Sequence, residues 1–260
     1  MIHDLRYIDG GRSRPIVYRA SLTEMVVPYG EPSAQQARKN AFDVGEYGIG
    51  YCANSLVLGC DCVGHIDYLD GQLCTSRGQP LVVRNAVCVH EEDYGIVWKH
   101  TDRRFADAPE VRRSRRLVVS SVSTVENYEY GFFWYFYQDG NVQFEVKLTG
   151  ILSLGVWSAD SSPIHGTIVK PLLYAPNHQH FFNMRIDIGI DGMQNRVYQC
   201  DIVADDDDCD KNPFCNAFHL ESTLLSTEAA AKANLCLETG RTWKFTSSTA
   251  RNALGKYSTG

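Results

Sequence analysis

The chain has 260 residues, of which 44% are hydrophobic and 22% are charged. This composition is that of an ordinary globular protein, and the length suffices for one large domain or two small ones. The formal net charge of −6 lacks the basic footprint of a nucleic-acid-binding protein. No apolar run is long enough to cross a bilayer, and the first residues do not resemble a secretory signal. We therefore expect neither nucleic acid nor a membrane as a partner.

In chain order, the sequence predicts short strands separated by turns. Residues 16–27 alternate well enough for a first strand, and residues 153–176, with three prolines, are expected to form a loop. Turns are expected at Asp70-Gly71, Arg77-Gly78, Asp139-Gly140 and Asp191-Gly192. The other predicted strands lie at about 63–69, 81–90, 94–98, 116–124, 128–138, 142–149 and 180–190. This pattern predicts a mainly β protein.

Two segments depart from the strand pattern. One helix is predicted near the end of the chain, with Ser226 or Thr227 as the N-cap, high helix propensity over 228–232 and Gly240 as the stop. An arginine cluster at positions 112, 113, 115 and 116 is expected in a solvated turn before the next strand.

The most aromatic segment of the chain runs from residue 125 to residue 137. It contains no proline, and Asp139-Gly140 followed by a second alternating segment predicts a β-hairpin. Side chains two apart on a strand share a face, so Tyr128 and Tyr130 point to one side and Glu129 to the other. Composition alone favours a core strand here.

His178-Gln179-His180 is the best metal-binding pattern that the residues themselves offer. On a strand, the two histidines share a face with Cα atoms roughly 6.5 Å apart, so two neutral imidazoles can reach one ion. Imidazole suits copper, zinc, iron and nickel. The alternative interpretation is a polar strand edge. The spacing of Cys60, Cys62, Cys74 and Cys88 is not the paired Cys-x2-Cys of structural zinc sites.

Asn127-Tyr128-Glu129-Tyr130 resembles the Asn-Tyr-Asp/Glu-Tyr signature of the copper amine oxidases. In that family, copper and oxygen convert the first tyrosine into a quinone cofactor, topaquinone. The resemblance covers about residues 14–256 and leans toward fungal and eukaryotic members. Further segments match the family in the same order: Tyr18-Arg19-Ala20-Ser21-Leu22, Phe42-Asp43-Val44-Gly45-Glu46-Tyr47, Asn177-His178-Gln179-His180-Phe181-Phe182 and Thr239-Gly240-Arg241-Thr242-Trp243.

This resemblance implies catalytic roles for four residues. Tyr128 is the quinone precursor, and Asp43 is the base that takes a proton from the carbon next to the amine nitrogen. The Tyr29 hydroxyl binds the quinone oxygen, and Asn127 keeps the quinone in its productive orientation. A carboxylate in an apolar pocket has a raised pKa, which suits a base near neutral pH. Without the resemblance, Asp43 reads as the cap of a turn.

The resemblance also implies metal sites and a covalent cross-link. It makes the two histidines of the 178–180 segment two of three copper ligands. It treats the acidic string His90-Glu91-Glu92-Asp93 as structural. After His180 the only histidine is His219, which does not match the third ligand. The resemblance implies a peripheral site for calcium or manganese at Asp187 and Ile188. It also implies a disulfide between Cys62 and Cys88.

For the whole protein, the resemblance implies a large β-sandwich of which residues 1–260 form part, truncated at both ends. The small N-terminal domains and the C-terminal part of the family are expected to be absent. The full-length form is expected to be a homodimer. The cytoplasm and the peroxisome are the favoured compartments.

The implied reaction is the oxidative deamination of primary amines to aldehydes, consuming oxygen and releasing ammonia and hydrogen peroxide. Because a third copper ligand is missing, the chain by itself is expected to be weak in copper binding. The alternative is a catalytically inactive β-sandwich fragment with a partial metal site and a structural or interaction role. Ala41 lies where some relatives carry a gating aromatic residue, which predicts a more open substrate channel.

Overall fold

The computed structural model describes residues 1–259 apart from 35, 37–38, 105–107, 158–162 and 206–209. Its described residues form β-strands and turns, and none of them lies in an α-helix, so the prediction of a mainly β protein is confirmed. No described helix is therefore long and apolar enough to span a membrane. The strands are β1 (Ile2–Asp9), β2 (Arg12–Pro28), β3 (Asn40–Phe42), β4 (Asp67–Cys74), β5 (Pro80–Asp102), β6 (Ala108–Val125), β7 (Tyr128–Tyr137), β8 (Val142–Gly150), β9 (Gly155–Val156), β10 (Gly166–Lys170), β11 (Leu173–Pro176), β12 (Phe181–Ile188), β13 (Asn195–Ala204), β14 (Phe218–Leu224), β15 (Thr242–Arg251) and β16 (Tyr257–Thr259).

The chain divides into two compact units, one comprising Thr23–Asn183 and the other comprising Met1–Leu22 with Met184–Gly260. The first unit contains a five-stranded antiparallel sheet in the order β4-β5-β6-β7-β8. The predicted hairpin between β7 and β8 is confirmed, with Phe136 opposite Val142. Because consecutive strands pair, most of this sheet is built from local hairpins.

One core cluster of this unit forms where β2, β6 and β7 contribute apolar side chains. Met25, Val125 and Tyr130 are fully buried there. Tyr128 and Phe132 pack against this cluster and are partly buried. Tyr128 and Tyr130 thus share one face of β7, as the period of a strand requires.

The β6–β7 connection is a two-residue turn formed by Glu126 and Asn127, because Val125 already pairs with Tyr128. Glu126 has a φ of 53°, a left-handed conformation that is usual for glycine and uncommon for glutamate. Gly150 passes close by, and a Cβ there would lie 2.4 Å from the Asn127 carbonyl oxygen. The turn therefore requires glycine at position 150.

The prediction of a loop over residues 153–176 is wrong in part. β9, β10 and β11 form a small antiparallel sheet in the order β10-β11-β9. Prolines do not prevent this, because Pro171 lies in the turn between β10 and β11 and Pro176 ends β11. This sheet leads directly into the histidine segment.

In the other unit, β14, β13, β15 and β16 form an antiparallel sheet in that order. The predicted helix is wrong: residues 227–231 make a single turn, in which the Ala231 amide donates to the Thr227 carbonyl oxygen at 3.1 Å. Nearly all side chains of residues 226–240 are exposed. A short helix with no buried apolar face is marginal in water, whatever its propensity.

Two further predictions are wrong. Asp70-Gly71 is not a turn but lies inside β4, at a β-bulge between Leu69 and Gly71. The arginines from Arg112 to Arg116 do not occupy a solvated turn. They lie within β6 and pair with β5, where Asp93 is opposite Arg115 and Glu92 opposite Arg116.

Candidate active site

The histidine segment is joined to the end of β2. An isolated bridge pairs Tyr29 with His178, and the Gly30 amide donates to the Asn177 carbonyl oxygen at 2.8 Å. The segment lies between β11 and β12, so its backbone is fixed on both sides. This arrangement brings His178 and His180 to the start of β7, where Tyr128 and Tyr130 lie.

Each histidine meets one tyrosine of β7. His178 Nε2 lies 3.3 Å from the Tyr128 hydroxyl, and His180 Nε2 lies 3.1 Å from the Tyr130 hydroxyl. His178 Nδ1 is 3.0 Å from the Pro176 carbonyl oxygen and donates to it. This hydrogen bond leaves the lone pair of His178 on Nε2, where it faces Tyr128.

The two imidazoles are close enough to act together. Their ring centroids are 5.2 Å apart, and both rings are partly buried. Burial, with the neighbouring His178, lowers the pKa of His180, so its neutral form is favoured. Neutral imidazole is the metal-binding form, and the pair therefore suits a metal ion.

Asp43 lies on the other side of Tyr130. The Asp43 side chain is buried, with 2% of the residue exposed, and Oδ2 accepts a hydrogen bond from the Tyr130 hydroxyl at 3.3 Å. Burial raises the pKa of Asp43, and the nearby Glu24 and Glu46 carboxylates raise it further, against the effect of the Tyr130 hydrogen bond. A raised pKa is what a general base needs near neutral pH.

Tyr29 connects the histidines to Tyr128. The Tyr29 ring stacks on the His178 ring, with centroids 4.9 Å apart. The Lys39 ammonium lies over the Tyr29 ring, 4.3 Å from the ring centroid. Burial and a hydrogen bond with Tyr128 raise the pKa of Tyr29. The Tyr29 hydroxyl therefore stays protonated at neutral pH and remains a hydrogen-bond donor.

A cavity of about 540 Å³ opens beside these groups. The four residues predicted for catalysis all line it: Tyr29, Asp43, Asn127 and Tyr128. Ala41 lines the same cavity and adds little bulk to its wall. A space of this size accommodates a small organic substrate.

Two contributors to the site were not indicated by any sequence pattern. The Ser153 amide donates to the Tyr128 hydroxyl at 3.3 Å, and it lies in a segment predicted as featureless loop. Tyr130 was expected only to share a face with Tyr128, whereas its hydroxyl lies between Asp43 and His180. Both contacts depend on which strands become neighbours, which local patterns do not encode.

The other predicted site residues are not part of this cluster. Asp187 and Ile188 belong to β12 in the unit that includes Met184–Gly260, and their metal site stays a prediction. Cys62 and Cys88 are buried in one apolar cluster with Leu56, and both are free thiols. Burial and a hydrogen bond with Cys88 raise the pKa of Cys62 to about 12. Their disulfide also stays a prediction.

The cluster offers two imidazoles to a metal ion. Over the part of the chain that the structure describes, no group of three or more His, Cys, Asp or Glu side chains could hold a metal. The residues present thus fit a copper ion as two of its ligands, and a stable site needs at least one more donor.

Comparisons with known proteins show which family the chain resembles. The family profile described as "Copper amine oxidase, enzyme domain" matches residues 1–259. The chain is 46% identical over 257 residues to the primary amine oxidase of Arthrobacter sp. (strain P1), covering 98% of this chain and 39% of that protein. It is 44% identical over 248 residues to the peroxisomal primary amine oxidase of Pichia angusta, covering 94% of this chain and 36% of that protein.

Among solved structures, the copper-containing benzylamine oxidase from Hansenula polymorpha superimposes with a TM-score of 0.85 at 37% identity. The match covers 95% of this chain and 38% of that structure. The chain therefore spans less than two fifths of the length of these relatives.

Proposed function

Because the chain belongs to the copper amine oxidase family, we propose that it carries the amine-binding part of an enzyme that oxidises primary amines to aldehydes. Oxygen accepts the two electrons and water hydrolyses the imine to the aldehyde, so that ammonia and hydrogen peroxide are released. The observation that supports this most is the position of the Tyr128 hydroxyl. It lies between the His178 imidazole and the Ser153 amide, on the wall of the cavity that also holds Asp43.

In this proposal, His178 and His180 hold copper, and Tyr128 becomes the quinone. Copper and the quinone, once in place, supply the electron sink and the reduction of oxygen. The two imidazoles suit this role because neither is engaged in an ion pair within the described part of the chain. A further ligand has to complete the copper site.

Asp43 is the proposed base. Its carboxylate takes a proton from the carbon next to the amine nitrogen, and its burial gives that proton a favourable acceptor. Tyr130 orients the carboxylate by donating a hydrogen bond to Oδ2. Tyr29 donates its hydroxyl hydrogen toward position 128, and Asn127 restricts the space beside it.

The test is peptide mass mapping across Tyr128 after aerobic incubation with copper, together with a colour reaction for reactive carbonyl groups. We expect a mass change confined to the peptide that contains Tyr128, and colour that is absent in Tyr128→Phe. Tyr137→Phe, on the same strand but in the half that pairs with Arg116, is the matched control and should retain both signals.

The rival function is a β-sandwich with a partial metal site and a structural or interaction role. The lack of a three-residue metal group over the described residues favours it. It predicts weak copper binding and an unmodified Tyr128. If the full-length protein, loaded with copper, kept Tyr128 unmodified, the enzyme proposal would fail and this rival would replace it.

The finer expectations are proposals as well. The protein forms a homodimer, binds calcium or manganese at Asp187 and Ile188, and links Cys62 to Cys88. The disulfide is tested by peptide mapping without reductant, in which the two cysteines should appear in one linked peptide. The peroxisome is favoured as the compartment, because a relative at 44% identity carries that word in its name.

A further inference from the structure

Glu24 on β2 makes an unusual set of contacts with the turn that follows Asp43. Its Oε1 accepts hydrogen bonds from the Met25 amide at 2.9 Å, the Val44 amide at 3.1 Å and the Gly45 amide at 3.3 Å. A carboxylate that accepts several main-chain amides is an anchored group, because charge-assisted hydrogen bonds are stronger than neutral ones. None of these hydrogen bonds joins Glu24 to Tyr128 or to the two histidines.

These contacts hold the backbone that follows Asp43. The Asp43 amide itself donates to the Met25 carbonyl oxygen at 3.0 Å. Three consecutive amides, those of residues 43, 44 and 45, are therefore bound by β2. The Asp43 side chain is held at its other end by the Tyr130 hydroxyl.

Gly45 makes room for this arrangement. A Cβ at position 45 would lie 2.8 Å from Glu24 Oε2, closer than real Cβ contacts. Gly45 does not have a positive φ, so its backbone tolerates a side chain. A Cβ at position 45 would therefore displace Glu24 Oε2, whereas the backbone of the turn does not depend on glycine.

We propose that Glu24 is a positioning residue that fixes Asp43 against the Tyr130 hydroxyl at the wall of the cavity. The inference rests on the proposed function, since it concerns the base of that reaction. Glu24 contacts neither substrate nor cofactor in this proposal. It acts by fixing the backbone of a base whose carboxylate has to stay within a few tenths of an ångström of its working position.

Glu24 also contributes charge. The titratable groups that influence Asp43 are Glu24 from β2, Glu46 from its own turn and the Tyr130 hydroxyl from β7, with Tyr29, Tyr47 and Cys52 nearby. After burial, Glu24 is the largest of the influences that raise the pKa of Asp43. Neutralising Glu24 therefore lowers that pKa and moves the acid limb of the rate profile to lower pH.

The experiment compares Glu24→Ala and Glu24→Gln in the copper-loaded full-length protein, with rates expressed per quinone. We expect kcat to fall about 10- to 100-fold in Glu24→Ala, because a displaced base loses rate steeply. KM should change less than about threefold, because Glu24 does not line the cavity. Glu24→Gln keeps an acceptor oxygen and should restore most of kcat, with its acid limb at lower pH.

Thr23→Val is the matched control, because Thr23 is the neighbouring residue on β2 and its hydroxyl bonds to the Asn183 carbonyl oxygen, away from Asp43. It should leave kcat and the pH profile unchanged. Gly45→Ala disturbs the same contact, because the added Cβ would displace the Glu24 carboxylate, and it should therefore lower kcat as well. A residue with only a structural role would change the yield of folded enzyme, not the pH profile per quinone.

Hydrogen exchange of the amides at 43–46 supplies a readout that needs no activity. We expect faster exchange in Glu24→Ala and Gly45→Ala than in the wild type and Thr23→Val. Unchanged exchange, or a Glu24→Ala enzyme with wild-type kcat and pH profile, would overturn the inference. A wild type that forms no quinone, with the expected exchange pattern intact, would instead contradict the proposed function and leave Glu24 as the group that holds the turn.

Discussion

The cavity region and the β5–β6 ladder both contain carboxyl groups and histidines. In the ladder the carboxylates form ion pairs with arginines, whereas the described carboxyl groups of the cavity region do not. We define the ladder as the acidic residues Glu91, Glu92 and Asp93 of β5 with their arginine partners on β6. In the ladder, Glu91 pairs with Arg115 at 2.8 Å and Glu92 pairs with Arg116 at 2.7 Å. In the cavity region, none of the ion pairs of the described residues involves Asp43 or His180.

The pKa values of two aspartates show what this difference does. The Arg113 hydrogen bond lowers the pKa of Asp93, whereas burial raises the pKa of Asp43. Burial without an opposite charge favours the neutral form of a carboxyl group, and an arginine partner favours the charged form. Buried titratable groups that lack an opposite charge are thus better candidates for chemistry than paired ones, even where the sequence strings look alike.

The largest expected effect is a loss of copper binding, and it should distinguish His180 near the cavity from His90 in the ladder. His180→Ala removes one of two candidate copper ligands, so copper affinity should fall more than about 100-fold and no quinone should form at Tyr128. His90→Ala is the control, because His90 Nε2 already binds Glu92 at 3.0 Å within the ladder. Copper content and the carbonyl colour reaction measure both variants. Equal copper loss in the two would break the comparison.

Asp43→Asn tests the unpaired carboxylate. Activity per quinone should fall about 10²- to 10⁴-fold, the usual effect of losing a general base. In the wild type, kcat/KM should fall as the pH drops through the raised pKa of Asp43, because only the ionised form accepts a proton. A pH profile without that acid limb would contradict the assignment.

The sequence indicated residues that lie together at one cavity, but it did not indicate the ion pairs of the ladder. Tyr29, Asp43, Asn127 and Tyr128 line one cavity, and the catalytic roles that the family resemblance implies for them stay predictions. The family match over residues 1–259 confirms the resemblance itself. The string His90-Glu91-Glu92-Asp93, which was expected to be structural, lies on β5 and forms ion pairs with arginines of β6. Its partners could not be predicted, because the register of β5 on β6 decides which arginine faces which acid.

The fold shows the same division between local and non-local information. The β7–β8 hairpin was predictable because alternation and an Asp-Gly turn agree. The β6–β7 turn was not, since Glu126 occupies a left-handed position without a glycine to mark it. The helix predicted after Thr227 failed because propensity alone does not stabilise a helix that buries no apolar face.

Ala41→Tyr changes the cavity without changing a titratable group. Ala41 lines the cavity two positions before Asp43. A tyrosine there should narrow the space and lower kcat/KM for benzylamine about tenfold relative to methylamine, because even one methylene of misfit in a pocket is worth about 1–3 kcal/mol. The acid limb set by Asp43 should stay at the same pH. Unchanged selectivity would contradict a role for Ala41 in substrate access.

The smallest expected effect concerns stability, and it sets the two regions against each other directly. Although burial opposes it, hydrogen bonds from Arg116 and His90 lower the pKa of Glu92, so its folded-state pKa lies below the reference value of 4.5. Glu92 therefore stabilises the fold above that pH, by about 1 kcal/mol for a partly exposed pair. This contribution is lost as the pH falls through the folded-state pKa.

Denaturant unfolding of Glu92→Gln should accordingly show a deficit at pH 7 that shrinks as the pH falls below 4.5. Asp43→Asn should show the opposite dependence. In the wild type, the folded-state pKa of Asp43 is raised, so ionised Asp43 destabilises the fold. The Asp43→Asn variant should therefore become more stable than the wild type as the pH rises through that pKa. Parallel slopes for the two variants would mean that the carboxylates of the cavity and of the ladder are in the same electrostatic state, contrary to the pairing seen in the structure.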